Sequence, residues 1–214
     1  MRLTKFGHAC IRVESAGTTI VIDPGGLTDE DATRGADAVL VTHEHFDHFS
    51  GERLMAALTA DPGLSIWTNA AVAALLDGPA DRVHVVGHGD TLQVGRIEIE
   101  VHGELHEELH EDIPRVGNVG FLLDGRMFHP GDAFTDPGRP VDTLMLPIHA
   151  PWSRTGQVVD YVRSLAPVVA LSVHDAGLSA VGVSVVGNLL GAAGPGIGAS
   201  KYRYLQVGDT AEVG

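Results

Sequence analysis

The sequence predicts a mixed α/β chain in which two sheets pack face to face with helices outside them. Short apolar, β-branched runs that stop at turn residues occur in both halves. Capped segments with helical spacing of apolar residues follow several of them. The length of 214 residues, 44% hydrophobic and 20% charged, suffices for a buried core and predicts one domain over 1–214.

In order along the chain, Thr18–Ile22 is a β-branched run that ends at the breaker Asp23-Pro24-Gly25-Gly26, and Ala38–Val41 is a second apolar run. Ser50 is placed to cap a helix whose Leu54, Met55 and Leu58 share one face. Asn69 caps an alanine-rich helix ending near Gly78, and strands are predicted at 83–86, 91–94 and 96–101. Asp124-Gly125 is a two-residue hairpin signal between strands at 118–123 and 126–129. The last third repeats the rhythm. A strand at 142–147 leads to a helix capped by Thr155, with Val158, Val159, Val162 and Leu165 inward. A strand at 168–173 and a helix from 179 to about 190 follow. A Gly/Ala-rich stretch, 191–200, reads as a mobile loop before a final strand at 202–207.

Composition restricts the partners. With 28 acidic against 14 basic residues the formal charge is −14, which opposes an extended phosphate backbone and points to a small-molecule substrate, not nucleic acid. The single cysteine, Cys10, excludes an internal disulfide and cysteine-based zinc sites, and reads as a small buried residue. The first eight residues hold no apolar core of signal-peptide length. No apolar run approaches the ~18 residues a membrane span requires. A cytoplasmic chain without a membrane partner is expected, and a homo-oligomer is compatible with the sequence.

The densest chemistry lies in Thr42-His43-Glu44-His45-Phe46-Asp47-His48, directly after the apolar run 38–41. Neutral imidazoles and carboxylates are good ligands for zinc-like cations, and a turn at a strand end can aim several of them at one point. His43 and His45 can reach one ion, while Asp47 and His48 sit further along the turn and can reach a second. Glu44 is expected to point away and support the loop.

This motif resembles that of the metallo-β-lactamase-fold superfamily. The resemblance implies a four-layer αβ/βα sandwich with two divalent metal ions at one edge of the sheets. His45 stands where iron-containing members usually carry Glu, so zinc is expected, with Mn2+ and Fe2+ compatible. Phe6-Gly7-His8-Ala9 followed by Ile22-Asp23-Pro24-Gly25 resembles the opening of the branch that includes the bacterial ascorbate-6-phosphate lactonase. Asp23 is then a support beneath the metal loop, and His8 is either near the site or structural.

The resemblance also implies the remaining ligands. Asp132, in Phe128-His129-Pro130-Gly131-Asp132, matches the aspartate that bridges both ions, and His129 points to the other side of its strand. His174, at the end of the last strong apolar strand, matches the final ligand. The middle ligand falls among His102, His106 and His110, which recur every four residues; a strand ending before Gly103 favours His106. His110 is then a substrate-side group or proton donor, although a helical 102–110 would put all three on one face. Asp112, Pro114 and Arg115 form a rim, and His149 either lines the pocket with Trp152 and Arg154 or sits on the surface.

The sequence has no G-x-S-x-G serine elbow and no reactive cysteine setting. A metal-bound water, its pKa lowered from about 16 to about 7, is hydroxide enough to attack at neutral pH. Asp47 can orient that water or take its proton. The expected reaction is hydrolysis of a small-molecule ester, lactone or phosphoester, the lactonase-like branch suggesting a small lactone or phosphorylated sugar acid. The alternatives are a phosphodiesterase or nuclease with the same dinuclear centre, or a non-catalytic metal-binding protein.

Overall fold

In the computed structural model, which describes residues 1–213, two seven-stranded sheets stack against each other and helices cover their outer faces. The first sheet runs in the order β14 (Thr210–Glu212), β1 (Arg2–Lys5), β2 (Ile11–Ser15), β3 (Thr18–Ile22), β4 (Ala38–Val41), β5 (Ser65–Thr68), β6 (Val83–Val85). The second runs β7 (Thr91–Val94), β8 (Ile97–His102), β9 (Gly120–Leu123), β10 (Met127–His129), β11 (Thr143–Pro147), β12 (Val169–Val173), β13 (Lys201–Arg203). Each sheet is built alike: four strands pair antiparallel, and the rest continue parallel from the fourth.

The residue pattern explains the layering. In β2 and β3 the side chains alternate: Ile11, Val13, Ile20 and Ile22 enter the core between the sheets, while Val21 faces the helices. Strand β4 is buried on both faces, Ala38 and Leu40 inward and Val39 and Val41 under the helical layer, as its uninterrupted apolar run requires. Helices α1 (Gly51–Ala60) and α2 (Ala70–Leu75) seat Leu54, Leu58 and Val72 on that outer face. Helices α3 (Thr155–Leu165) and α4 (Ala180–Leu190) do the same for the second sheet through Val158, Val162 and Val186. Phe121 and Met127 close the middle of the sandwich. Truncating Phe121 to alanine there would cost about 3–5 kcal/mol.

Several boundaries differ from the sequence reading, each for a local reason. Helix α2 stops at Leu75, before Gly78-Pro79, whose backbone does not continue a helix. Thr155 is the first helical residue; Arg154 holds the cap position, its N–H donating to Gln157 Oε1 at 2.8 Å. Ser50 stands at the cap of α1 but its side chain makes no capping bond. The predicted final strand breaks after Arg203, because a turn closes through Asp209, which accepts from the Gln206 N–H. Strand β14, which the sequence reading lacked, then pairs with β1. In the 191–200 stretch, which holds neither helix nor strand, Arg163 donates to the carbonyls of Pro195 and Gly196, and Ile197 enters the outer core.

All chemistry-bearing loops leave the carboxyl ends of strands on one edge, where ligands of open α/β sheets bind. Asp23 follows β3, His43 follows β4, Asn69 follows β5, Asp132 follows β10 and His174 follows β12.

Candidate metal centre

The loop after β4 is shaped from beneath by Asp23. This buried residue adopts a left-handed backbone, φ 51°, which aspartate tolerates better than most side chains. Its Oδ1 accepts the Thr42 N–H at 2.8 Å, and its Oδ2 accepts the Thr42 hydroxyl at 2.8 Å and His48 Nδ1–H at 2.7 Å. The neighbouring Gly25 carries no side chain because a Cβ there would run into the backbone of Asp47. The 23–25 turn and the histidine loop therefore fit only against each other.

Hydrogen bonds to one ring nitrogen fix which other nitrogen is free. His48 gives its Nδ1–H to Asp23, His106 to the Glu107 carbonyl at 2.6 Å, and His174 to the His149 carbonyl at 2.6 Å. Thr42, having donated to Asp23, accepts from His43 Nδ1 at 2.9 Å. Each Nε2 is thus left as a bare lone pair. The Nε2 atoms of His48, His106 and His174 are buried without a protein hydrogen-bond partner. His43 Nε2 lies 3.0 Å from His45 Nδ1, so these two rings present opposite nitrogens to one point.

The donors fall into two groups, His43, His45, His106 and Asp132, and His8, Asp47, His48 and His174. Within each, one donor atom per residue lies within 4.8 Å of all the others. Asp132 connects them. Its Oδ2 is 4.0 Å from His43 Nε2, 3.4 Å from His106 Nε2 and 3.0 Å from His174 Nε2, while Oδ1 is 3.1 Å from His48 Nε2. The turn carrying Asp132 is held by Asn118, whose Oδ1 accepts the Asp132 N–H at 3.0 Å and whose amide donates to the Pro130 carbonyl at 2.9 Å. Gly131, at φ 65°, packs so tightly that a Cβ would strike Asn118 and Thr42. From the rim, Trp152 Nε1–H donates to Asp132 Oδ2 at 2.9 Å.

The electrostatics of this edge demand positive charge. Burial alone would raise the Asp132 carboxyl, but His48 and His174 outweigh it and hold it well below the usual range. The same contacts act in reverse on the imidazoles. Burial lowers His174, yet Asp132 and Asp47 bring it up to about 9, and Asp132 and Asp23 hold His48 well above its ordinary value against the same penalty. His43, buried among other imidazoles, is driven well below its usual value by desolvation. Both shifts record the same local excess of negative charge around the buried carboxylates. Orphaned lone pairs, N/O chemistry and a local excess of negative charge fit divalent metal ions.

Residues 2–174 match the family of the beta-lactamase superfamily domain. The chain belongs to that superfamily. It is similar to Protein Rv0786c of Mycobacterium tuberculosis, with 36% identity over 82% of this chain and 84% of the relative. It is also similar to the UPF0173 metal-dependent hydrolase ABC2731 of Shouchella clausii, with 30% identity over 69% of this chain and 73% of the relative. Among solved structures, Igni18, a metallo hydrolase from the hyperthermophilic archaeon Ignicoccus hospitalis, superposes with a TM-score of 0.76 at 20% identity, covering 98% of this chain and 97% of that one. The sandwich expected from the superfamily resemblance is the architecture observed.

Against this superfamily frame, the structure brings His43, His45, Asp47, His48, His106, Asp132 and His174 to one spot. His110 is not there. It is exposed at the surface, where its Nδ1 accepts the Asp112 N–H at 3.1 Å, and it does not line the cavity. Residues 103–110 form no helix, so His102, His106 and His110 do not share a helix face. His102 ends β8 beside Glu100, at 3.6 Å. His129 is wholly buried and bonds the Ala9 carbonyl at 3.0 Å. The His149 side chain is exposed and only its carbonyl serves the site. Glu44 stays outside both groups.

Three supports were not legible in the sequence: Asn118, the indole of Trp152, and the second role of Asn69. Asn69 caps α2 by accepting the Val72 N–H, as expected, and also donates to the Thr42 and Gly117 carbonyls at 3.1 Å. The last donor loop is anchored by buried Lys5, which pairs with Asp175 at 2.8 Å next to His174, itself at φ 58°. A strained backbone of this kind costs of order 1–3 kcal/mol and persists only where its surroundings hold it.

The donors open into a cavity of about 320 Å³. Phe46, Leu109, Ile113, Pro114 and Trp152 make its walls largely apolar, and Arg115 supplies a cation at the rim. Arg115 is oriented by its Nε–H, which donates to the His106 carbonyl at 2.6 Å.

Proposed function

We propose that this metal-dependent hydrolase of the metallo-β-lactamase superfamily cleaves an ester, lactone or phosphoester bond of a small molecule at a dinuclear centre. The observation that carries the reading is the pair of donor groups sharing Asp132, with buried ring nitrogens that have no protein partner. His43, His45 and His106 would hold one divalent cation and Asp47, His48 and His174 the other, with Asp132 between them. Imidazole and carboxylate donors suit zinc, manganese or iron(II).

Such cations, when bound, supply acidified water and polarise the electrophilic oxygen. The chain's own groups do the rest. His174 and His8 hold the Asp47 carboxyl well below its usual range against the penalty of burial, so it stays an anion that can orient the attacking water. Trp152 fixes Asp132 and forms a wall that excludes bulk solvent. The apolar lining selects a substrate with an apolar body, and Arg115 can meet an anionic group on it. A cavity of this size fits a small molecule.

The test is metal analysis joined to turnover. The purified chain should hold two zinc-like ions per molecule and hydrolyse generic lactones or aryl esters and phosphodiesters. His43→Ala and Asp132→Ala should each lose metal and activity together. Full activity in both variants, or turnover in a protein stripped of metal, overturns the reading.

A further inference from the structure

We propose that His8 is a positioning residue of the second donor group and not one of its ligands, directing a fixed Nε2–H at Asp47 Oδ2. The inference rests on the two-cation reading above and assigns a role within it.

Distance alone would make His8 a fourth ligand, since its ring lies with Asp47, His48 and His174 inside the same 4.8 Å limit. The proton distribution separates it from them. His8 Nδ1 accepts the Ala176 N–H at 3.0 Å, so that nitrogen must be a bare lone pair. The ring proton therefore sits on Nε2. A nitrogen bearing hydrogen offers no lone pair to a cation. His48 and His174 are in the opposite tautomer, with Nδ1–H given to Asp23 Oδ2 and to the His149 carbonyl.

The ring is also placed beside the carboxylate: His8 is 5% exposed, and its buried Nε2, which has no hydrogen-bond partner, lies 3.2 Å from Asp47 Oδ2. The same Oδ2 is 3.5 Å from His174 Nε2 and 4.0 Å from His48 Nε2, the two lone pairs of that group. The backbone fixes the ring from the other side, because the His8 carbonyl accepts the His174 N–H at 2.8 Å. The two rings lie with centroids 4.0 Å apart. One residue from the β1–β2 connection thus ties the turn after β12 to the carboxylate after β4. A hydrogen bond to a ligating carboxylate orients it, and losing such a partner costs about 10–100-fold in metal affinity.

The test reads imidazole tautomers by long-range 1H–15N correlation in the nitrogen-labelled protein, metal-free and titrated with zinc. Competition with a chromophoric chelator gives both zinc affinities for the wild type, His8→Gln and His8→Ala. His8 should show Nε2–H before and after zinc, while His48 and His174 lose their free Nε2 signals to the metal. His8→Gln, whose amide N–H reaches the same place, should bind the second zinc nearly as the wild type does. His8→Ala should weaken only the second zinc, by about 10–100-fold. Loss of the Nε2 proton on zinc addition, or a glutamine variant as weak as the alanine one, overturns the proposal. If the protein takes a single zinc, the two-cation reading fails. The metal-free tautomer is still decisive then, and a His8 ring carrying its proton on Nδ1 overturns the His8 assignment.

Discussion

Trp152 donates its indole N–H to Oδ2 of Asp132 at 2.9 Å, so the cavity wall and the carboxylate shared by both donor groups are one unit. The Trp152→Phe variant keeps the aromatic wall and removes the hydrogen bond. Its expected phenotype is a fall in metal affinity or kcat of about 10–100-fold with the fold intact by circular dichroism. Unchanged metal binding and turnover would show that Asp132 needs no such partner.

Asp23 serves three donors at once, and asparagine can replace its shape and backbone preference but not its acceptors. Asp23→Asn turns an amide N–H toward either the Thr42 hydroxyl or His48. One buried polar group is left unmatched, costing about 1–3 kcal/mol in urea unfolding. His48 loses the anion that fixes its tautomer, so the second donor group should weaken more than the first. Equal loss in both groups would argue against this division of labour.

Gly131→Ala tests the turn before Asp132. The added methyl meets Asn118 and Thr42 and the backbone sits at φ 65°, so relief requires the turn to shift. Stability should fall by about 1–3 kcal/mol, and zinc affinity should fall with it. A variant as stable as the wild type would mean that the turn has room the packing does not show.

Cys10 is fully buried, and its thiol is pushed far up by burial and by nearby Asp23. The folded pKa lies above the unfolded value, so the thiol's contribution to stability is complete below about pH 8.5. It declines as pH rises further, by about 1.4 kcal/mol per unit. Unfolding at pH 7 and pH 10 should show a steeper loss for the wild type than for Cys10→Ala. A thiol reagent should react only after denaturation. Rapid labelling of the native protein would contradict the burial.

The legible parts of this molecule were those where chemistry or period is written in adjacent residues. The His43–His48 stretch identifies itself because six positions hold three imidazoles and two carboxylates, and Asp124-Gly125 because both residues turn at positive φ, 50° and 61°. Strand β4 was legible for a related reason, its run being apolar on both faces. Asn118, Trp152 and Asn69 were not, because their partners lie 14, 20 and 27 or more residues away and nothing local distinguishes them from a strand start, a wall or a cap. The segment holding His110 and the expected rim of Asp112, Pro114 and Arg115 is indeed an irregular loop, but only Pro114 and Arg115 of these line the cavity, which no local signal distinguishes. Strand β14 escaped notice because three residues, Thr210–Glu212, carry no period, and only β1 at the other end of the chain makes them a strand.

The likeness of the two sheets has a mechanical consequence. Each supplies corner residues to a common seam, His43 and His48 from one and Asp132 and His174 from the other, so an ion seated there works as a rivet across the join. Ions that bind only the folded state at 100 times their dissociation constant add about 2.7 kcal/mol. Chelation should therefore lower the melting temperature in a zinc-concentration-dependent way, and breathing of the seam should open the reaction chamber and release its metal in the same motion.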